Sequence, residues 1–558
     1  MNNLIVSVIF DDITNLLKIK GANNYKIGAY ERASKLLRDL EVDIAQLIQE
    51  DRLTELSGIG EGLAKNIEEI VETGTCQDYK DLAKEYPPTL ISLLKVSGVG
   101  VSKVKQFYRE LGIKDLESLK KKAQAEELSQ LSGIGSKTEE KILKSVDKLL
   151  SEKNKLDLGY ATNLAYQFKD YIEKFKEVDN VEVTGAIRRK EEIIDQISLV
   201  IASNNFDEII NLLKKVPIIS DIDELNDKTF LLDTKLGVKI KIFGTDNSLF
   251  WQKVFWTTAS EEYNQKLQEV INDIAKDKIT DAVKDEQEIF KSINLPYIIP
   301  ELRDDLESID RAQDNKLPNS IELKDIKGDL HMHSRWSDGR YTIKEMALAC
   351  QKRGYQYMAI CDHTQSLTVA NGLTLDRLKA QWEEIDKLNE SLDITILKGA
   401  EVDILNDGLD YSDDILAQLD IVIASVHSGF NNSRERMMER IIRALEHPYV
   451  HILAHPTGRI VLGRGAYSID FERLVHKAIE SNTILEINAS PKRLDLNYQQ
   501  VRLAHQLGAK FIINTDAHKI KHLDNMSFGV GVARKGWLEK DDVLNTLGLN
   551  EFRNFLAK

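Results

Sequence analysis

The spacing of hydrophobic and polar positions changes along the chain. Apolar residues recur at helical spacing through the first 150 residues, which predicts an all-α region. From residue 327 onward, short apolar runs rich in β-branched residues alternate with helical stretches, as is typical of strand–helix units around a parallel sheet. The predicted strands are KGDLHMH (327–333), YMAICDH (357–363), ITILKGAE (394–401), IVIASVH (421–427), HILAH (451–455), TILEIN (483–488) and KFIINTDAH (510–518).

Length and composition predict a soluble protein of three or four domains. The chain has 558 residues, of which 42% are apolar and 30% charged, and no apolar run reaches the ~18 residues of a membrane span. We interpret the first residues, MNNLIVSVIFDDITNLL, as a helix and not as a secretory signal. Three cysteines cannot form a disulfide framework, which favours the reducing cytoplasm. A net charge of −15 argues against general binding to nucleic acid but allows a local phosphate site.

Histidine is distributed very unevenly. All 11 histidines lie between His331 and His522, and the first 330 residues contain none. The C-terminal part therefore uses imidazole for a purpose that the N-terminal part does not share.

A five-residue segment occurs three times in the N-terminal part: LSGIG at 56–60, VSGVG at 96–100 and LSGIG at 131–135. Two glycines permit a tight turn, and the unpaired N–H groups of the helix that follows attract anions. The pattern resembles the helix-hairpin-helix motif, which holds a nucleic-acid backbone without reading its sequence. A plain helix–helix turn is the alternative, and Glu61 and Glu139 beside the turns predict modest, salt-sensitive binding. The predicted DNA-binding residues are Gly58, Gly60, Gly98, Gly100, Gly133 and Gly135.

Polar side chains end each predicted strand of the C-terminal part. The carboxyl ends of parallel barrel strands meet on one face, where active sites are built. A buried, hydrogen-bonded imidazole is the alternative for any single histidine, but nine His, Asp and Glu side chains favour metal binding. The predicted ligands are His331, His333, Asp338, His363, Glu401, His427, His455, Asp516 and His518.

The ligand types predict the chemistry. Imidazole mixed with carboxylate suits Mn, Zn or Fe, whereas Mg or Ca prefers oxygen alone. Nine ligands exceed what one ion can use, and Glu401 is suited to bridge two ions that together activate water and neutralise a phosphate. We therefore predict phosphoester hydrolysis, with Glu401, His333 and Asp516 as the catalytic residues.

This part resembles the polymerase-and-histidinol-phosphatase (PHP) domain. The matching motifs are DLHMHS (329–334), CDH (361–363), GAEVD (399–403), SVHS (425–428), AHPTGR (454–459) and NTDAH (514–518), and all nine ligand positions are filled. The resemblance implies a distorted seven-stranded (β/α) barrel that binds two or three ions, Mn²⁺ above all, with Zn²⁺ or Fe²⁺ as alternatives. Arg459, Lys492 and Arg493 lie near strand ends as candidates for substrate binding, with surface cations as the alternative.

Residues 155–320 resemble the palm of family X DNA polymerases. VTGAIRR (183–189) is similar to the glycine-serine-x-arginine-arginine segment, and LPYIIPELR (295–303) matches the linker after the palm of bacterial members. The family's metal-binding aspartates correspond to Gln196, Ser198 and Lys239, which cannot hold two divalent ions. Asp195 is adjacent, but neighbouring strand residues face opposite sides. The palm is therefore predicted to be degenerate, a scaffold or a DNA-docking surface.

The N-terminal residues resemble the small first domain of the same family. NYKI (24–27), AYERA (29–33), the first hairpin and Thr73-Gly74 carry this resemblance. Some members have a lyase lysine in the helix after that hairpin, but Asn66 occupies the position here, and Lys65 is expected on the solvated face. No lyase activity is predicted.

Together these patterns predict a multidomain α+β and α/β protein. Its expected segments are 1–150 with the hairpins, 151–310 with a degenerate mixed-sheet palm and thumb, a linker at 311–326, and the PHP barrel at 327–558. The resemblance implies a Mn-dependent 3′–5′ exonuclease in DNA repair that acts on gapped, primer-ended or single-stranded 3′ ends in the cytoplasm, with no membrane contact. The alternatives are an active family X polymerase with a PHP exonuclease, a small-molecule phosphatase of the histidinol-phosphatase type, and a non-catalytic DNA-docking protein.

Overall fold

The computed structural model describes residues 2–556 except 41, 152–153, 217 and 275–282. These residues form two compact units. The first unit comprises residues 1–155, 164–183 and 195–250, and the second comprises 156–163, 184–194 and 251–558. Residues 251–310, which were expected to belong with the palm, lie in the same unit as the barrel. The domain boundaries themselves stay predictions.

The predicted all-α region is present in the first unit. Its helices end where the sequence supplies a residue suited to positive φ: Gly74 and Gly112 adopt φ of 74° and 64° and each caps a helix. The helices are α1 (Asn2–Lys20), α2 (Asn24–Asp39), α3 (Ile44–Gln49), α4 (Glu61–Thr73), α5 (Gln77–Glu85), α6 (Val101–Leu111), α7 (Leu116–Gln124) and α8 (Ser136–Ser151).

The next segment forms a mixed sheet, the palm sheet. Its elements are β1 (Leu156–Asp157), α9 (Leu158–Ile172), β2 (Asn180–Thr184), β3 (Ile193–Ile194), β4 (Gln196–Ala202), α10 (Phe206–Leu213), β5 (Ile219–Asn226), β6 (Thr229–Thr234) and β7 (Lys239–Thr245). Five of the strands form the sheet in the order β2-β4-β7-β6-β5. Strands β4 and β7 are parallel, and Gln196 is aligned with Lys239. The short strands β1 and β3 pair with each other and belong to the second unit.

Between the palm sheet and the barrel, the described residues form the α-helices α11 (Phe250–Thr258), α12 (Glu261–Ile274), α13 (Glu286–Ser292) and α14 (Glu307–Gln313). Their apolar core includes Phe290 and Ile298 together with Trp537, which comes from the far end of the chain. The indole of Trp537 also donates to Asp305 at 2.9 Å. This shared core explains why residues 251–310 belong to the same compact unit as the barrel.

Seven parallel strands form the barrel in sequential order from β8 to β14. The first and last strands approach through a bridge between Met332 and Ala517, and His333 N donates to Ala517 O at 2.9 Å. The predicted fold class is confirmed. The elements are β8 (Gly328–Asp329), α15 (Ile343–Lys352), β9 (Tyr357–Ile360), α16 (Leu375–Asn389), β10 (Thr395–Asp403), α17 (Asp413–Leu416), β11 (Ile421–Ser425), α18 (Arg434–Leu445), β12 (Ile452–Leu453), α19 (Phe471–Glu480), β13 (Ile484–Asn488), α20 (Tyr498–Leu507), β14 (Phe511–Asn514), α21 (Met526–Lys535) and α22 (Leu549–Leu556).

Candidate metal centre and nucleic-acid interface

Glu401, near the end of β10, lies at the centre of a buried histidine cluster. Its side chain is 1% exposed, and ring nitrogens of five histidines surround its two oxygens. The distances are 2.9 Å for His363, 3.0 Å for His455, 3.3 Å for His427, 3.4 Å for His331 and 3.6 Å for His333. His363, His427 and His455 each follow a different barrel strand, whereas His331 and His333 follow the same strand and are two residues apart. Because the strands are parallel, their carboxyl ends bring all five rings together.

The remaining predicted ligands extend the same cluster. Asp516 Oδ1 lies 3.1 Å from His333 Nε2, and Asp338 Oδ2 lies 3.2 Å from His518 Nε2. Three groups of side chains each have ligand atoms close enough to share an ion: His333, Asp338, His363 and His518; His331, His333 and Asp516; and His363, Glu401 and His427. The structure thus brings all nine predicted side chains into one connected cluster; their role as ligands stays a prediction.

Unpaired nitrogens show that the cluster suits metal ions. His331 Nε2, His333 Nδ1 and His363 Nδ1 are buried without a hydrogen-bond partner. His363 Nδ1 lies 2.9 Å from Glu401 Oε2 without forming a hydrogen bond, and the ligand atoms of His363, Glu401 and His427 lie within 4.8 Å of one another. Buried polar atoms normally have partners, and cations satisfy lone pairs that converge in this way. The donor set therefore fits metal binding, and mixed nitrogen and oxygen ligands are typical of Mn, Zn or Fe.

The electrostatics of the cluster agree with this fit. Burial by itself would raise the pKa of Glu401 and Asp516, yet nearby histidines hold the pKa of both carboxyls well below the usual value. Burial would likewise lower the pKa of His331, but the carboxylates of Glu486 and Glu401 raise it well above the usual value. Ionised carboxylates in a dry pocket need positive charge, which either protons on the rings or divalent ions supply.

Two carboxylates outside the predicted set orient the ligands. Glu486 is fully buried. It accepts one hydrogen bond from His331 Nδ1 at 2.7 Å and another from the backbone N–H of His455 at 2.9 Å. Asp403 Oδ1 lies 3.2 Å from His427 Nδ1. Such outer partners fix which ring nitrogen faces the metal. The sequence contains a signal for them, since Glu486 lies within a mostly apolar strand and Asp403 ends β10, but it does not show which ring each one contacts.

The three predicted substrate-binding cations have different environments. Arg459 donates to Glu192 at 2.6 Å and to the carbonyls of Arg493 and Leu494, so protein groups already engage its guanidinium. Arg493 Nε lies 3.6 Å from Asp516 Oδ2, at the edge of the cluster, and Lys492 is exposed beside it. Substrate contact stays a prediction, and Arg493 is its best-placed candidate.

The three hairpins share one geometry. Gly58, Gly98 and Gly133 have φ of 93°, 77° and 81°, where residues with a side chain are strained. No atom lies within 4 Å of a Cβ added at any of the six hairpin glycines, so each turn is open to a ligand. Gly60 and Gly100 begin their helices without a side-chain cap, which leaves backbone N–H groups available. The acidic side chain of Glu139, expected to weaken phosphate binding, is instead buried and accepts from Leu128 N at 2.8 Å.

The palm sheet has no comparable cluster. Gln196 Nε2 donates weakly to Ser198 Oγ at 3.4 Å, and Lys239 pairs with Asp233 at 3.5 Å. Asp195 precedes the strand and is exposed. Within the described ranges, all groups of three or more potential metal ligands lie in the barrel. At the lyase position, Asn66 Nδ2 donates to Tyr30 OH at 2.7 Å.

Comparisons with known proteins agree with these features. A helix-hairpin-helix domain model matches residues 1–76, a SAM-like helix-hairpin-helix tandem model matches 90–148, and a PHP domain model matches 329–490. A protein of Bacillus subtilis (strain 168) named DNA polymerase/3'-5' exonuclease PolX is 38% identical over 99% of this chain and 98% of its own length. Probable phosphatases of Thermoanaerobacter sp. (strain X514) and Syntrophotalea carbinolica are 32% and 27% identical over 39% of this chain, covering 89% and 90% of their own lengths.

No helix of the described residues is both long and apolar enough to cross a membrane.

One family accounts for the two helix-hairpin-helix matches, the PHP match and the full-length similarity to PolX. The chain belongs to the PolX family, the bacterial family X DNA polymerases with a C-terminal PHP domain.

Proposed function

We propose that this chain is a metal-dependent 3′–5′ DNA exonuclease that acts in DNA repair and has lost polymerase activity. The observation that carries the proposal is the buried Glu401, surrounded by five imidazole rings at the carboxyl ends of parallel strands. The name of the Bacillus subtilis relative supports exonuclease activity, and the hairpin matches support DNA as the substrate. Work on chromosomal DNA implies a cytoplasmic protein.

We assign the nine clustered side chains as ligands of two or three ions, Mn²⁺ first, with Zn²⁺ or Fe²⁺ as alternatives. Bound ions would activate water and neutralise the charge of the scissile phosphate. The chain's own groups orient and bind: Glu486 fixes the ring of His331, and Arg493 is suited to donate N–H groups to a phosphate oxygen. The hairpins hold the DNA backbone through N–H groups and leave its bases unread.

A ligand variant tests this function. Glu401→Gln keeps the shape of the side chain but removes the charge that the five rings surround. We expect it to lose at least ~100-fold in Mn²⁺-dependent removal of 3′ nucleotides and to bind less metal, while DNA affinity is largely retained. Exposed Glu480→Gln is the matched control. A wild-type protein that contains its ions, binds single-stranded DNA and leaves its 3′ end intact would refute the proposal.

Loss of polymerase activity is supported by the palm residues. Gln196, Ser198 and Lys239 offer no pair of carboxylates for the two ions of nucleotidyl transfer. We expect no extension of a gapped or primer-ended substrate with Mg²⁺ or Mn²⁺. Extension that persists in Glu401→Gln and disappears in Asp195→Ala would show that the exposed Asp195 serves a working polymerase site.

A small-molecule phosphatase is the second candidate, because the barrel is also similar to proteins named probable phosphatases. The two candidates differ in substrate preference. Faster hydrolysis of sugar or amino-alcohol phosphates than of single-stranded DNA would favour the phosphatase.

A further inference from the structure

Two loops that directly follow cluster histidines are joined by an exposed arginine–aromatic pair. Phe430 lies three residues after His427, and Arg464 lies in the loop that follows His455. The guanidinium carbon of Arg464 is 3.6 Å from the centre of the Phe430 ring. Arg464 is exposed and Phe430 is partly exposed, so solvent reaches both residues of the pair.

Hydrogen bonds and ring packing fix the positions of both loops. The buried Arg440 donates to Ser428 O at 3.0 Å in the first loop. In the second loop, Arg464 Nη2 donates to Gly458 O at 2.8 Å. Tyr467, also buried, lies nearly parallel to Phe430 with ring centres 6.3 Å apart. The pair of Arg464 and Phe430 is therefore positioned before any ligand arrives, which lowers the entropy lost on binding.

Arg493 connects this pair with the metal cluster. The loop that carries Arg464 contacts the segment that carries Arg493, because Arg459 Nε in this loop donates to Arg493 O at 3.0 Å. Arg493 Nε in turn lies 3.6 Å from Asp516 Oδ2. A phosphate held by Arg493 at the edge of the cluster would thus lie next to the loop that carries Arg464.

We propose that Arg464 and Phe430 form a stacking surface for a nucleobase next to the scissile phosphate. This proposal rests on the proposed exonuclease function and adds to it a subsite for the base. Guanidinium planes and aromatic rings stack on unpaired bases regardless of sequence, and the cation suits an anionic chain. Since a base must leave its duplex to stack in this way, the subsite selects single-stranded ends carrying a base over other phosphoesters.

Dinucleotides provide the test, because they are too small for hairpin binding to dominate. Thymidine dinucleotide is compared with two analogues in which either residue is an abasic tetrahydrofuran. Cleavage rate with Mn²⁺ and equilibrium binding by competition with a fluorescent oligonucleotide are both measured. We expect the wild-type protein to cleave and bind the natural dinucleotide about 10-fold better than one of the two analogues. The base that is missing from that analogue is then the stacked base.

Variants separate stacking from charge and from general loop damage. We expect the preference to disappear in Arg464→Ala, Arg464→Lys and Phe430→Leu, because these variants should cleave and bind only the natural dinucleotide less well. Phe430→Tyr should keep the preference. Arg434→Ala, which removes an exposed arginine paired with Asp470 in the helix after the first loop, should behave as wild type.

Equal loss for natural and abasic substrates, a full preference in Arg464→Lys, or no preference in wild-type protein would each overturn the proposal. If none of the dinucleotides is cleaved, the assay on single-stranded DNA still decides the exonuclease proposal, and the binding preference decides whether the pair recognises a base.

Discussion

Replacing Glu486 by glutamine would remove one buried negative charge while keeping the size of the side chain. Its two oxygens accept from four donors: His331 Nδ1 at 2.7 Å, Asn514 Nδ2 at 3.0 Å, His455 N at 2.9 Å and Asn488 Nδ2 at 3.2 Å. The amide nitrogen of glutamine must face one of these donor pairs. An unsatisfied buried group costs about 1–3 kcal/mol, and loss of a partner to a ligating histidine weakens metal binding by about 10–100-fold. The two magnitudes agree, since tenfold is about 1.4 kcal/mol.

We therefore expect Glu486→Gln to raise the Mn²⁺ concentration needed for half-maximal nuclease activity by about 10–100-fold, with near-normal activity at saturating Mn²⁺. Calorimetric titration of metal-stripped protein should show the same loss of affinity. Asp329→Asn is the matched control, because Asp329 is equally buried but bonds to Thr515 and not to an imidazole ring. A lower maximal rate with unchanged metal affinity would refute the orienting role of Glu486.

Two further predictions concern the N-terminal unit. Burial raises the pKa of Asp12 to about 6, against the opposing charge of Lys95, so the folded state holds this proton more strongly than the unfolded state and stability is lost as pH rises from about 4 to 6. Asp12→Asn should therefore raise the free energy of local unfolding of α1 at pH 8 by up to about 3 kcal/mol, measured by slower hydrogen exchange, and should have little effect at pH 4. A larger effect at pH 4 than at pH 8 would contradict this pH dependence. Because Glu139 accepts from the buried N–H of Leu128, Glu139→Leu should destabilise the third hairpin by about 1–3 kcal/mol, measured by exchange of the Leu128 amide, whereas Glu139→Gln should retain most of the stability. Equal effects of the two substitutions would exclude this hydrogen bond as the cause.

The barrel could be predicted from sequence because its signals are local. A buried parallel strand is an apolar run, and the polar residue that ends it must lie at the carboxyl edge. Knowing that His331 and Glu401 both end strands was therefore enough to expect them near each other. The pairing of Glu486 with His331 depends on side-chain directions across the barrel interior, which no local pattern contains.

Contacts between distant segments could not be predicted in the same way. Phe430 and Arg464 are 34 residues apart in two irregular loops, and neither loop has a periodic pattern that sets its path. Trp537 joins the core of residues 251–310 from the far end of the chain. Glu139 was expected to weaken phosphate binding beside its turn, but its side chain is directed to the buried N–H of Leu128, from which it accepts a hydrogen bond. In each case the position of the side chain depends on the groups that another segment, not adjacent in sequence, places next to it.

Buried charge distinguishes the two halves of this PolX protein more clearly than motifs do. In the barrel, Glu401, Glu486 and four of the five imidazole rings around Glu401 are buried, an arrangement that is unfavourable unless cations or protons compensate it. In the palm, Asp195 is exposed, and Asp233 and Lys239 form a half-exposed pair whose loss would change stability little. Buried charge alone is not a sign of chemistry, since Glu286 and Arg303 form a buried ion pair outside the cluster. The cluster differs because its buried carboxylates lie beside ring nitrogens that lack hydrogen-bond partners, whereas the described residues of the palm strands include no buried carboxylate, and this difference supports our proposal that catalysis belongs to the barrel.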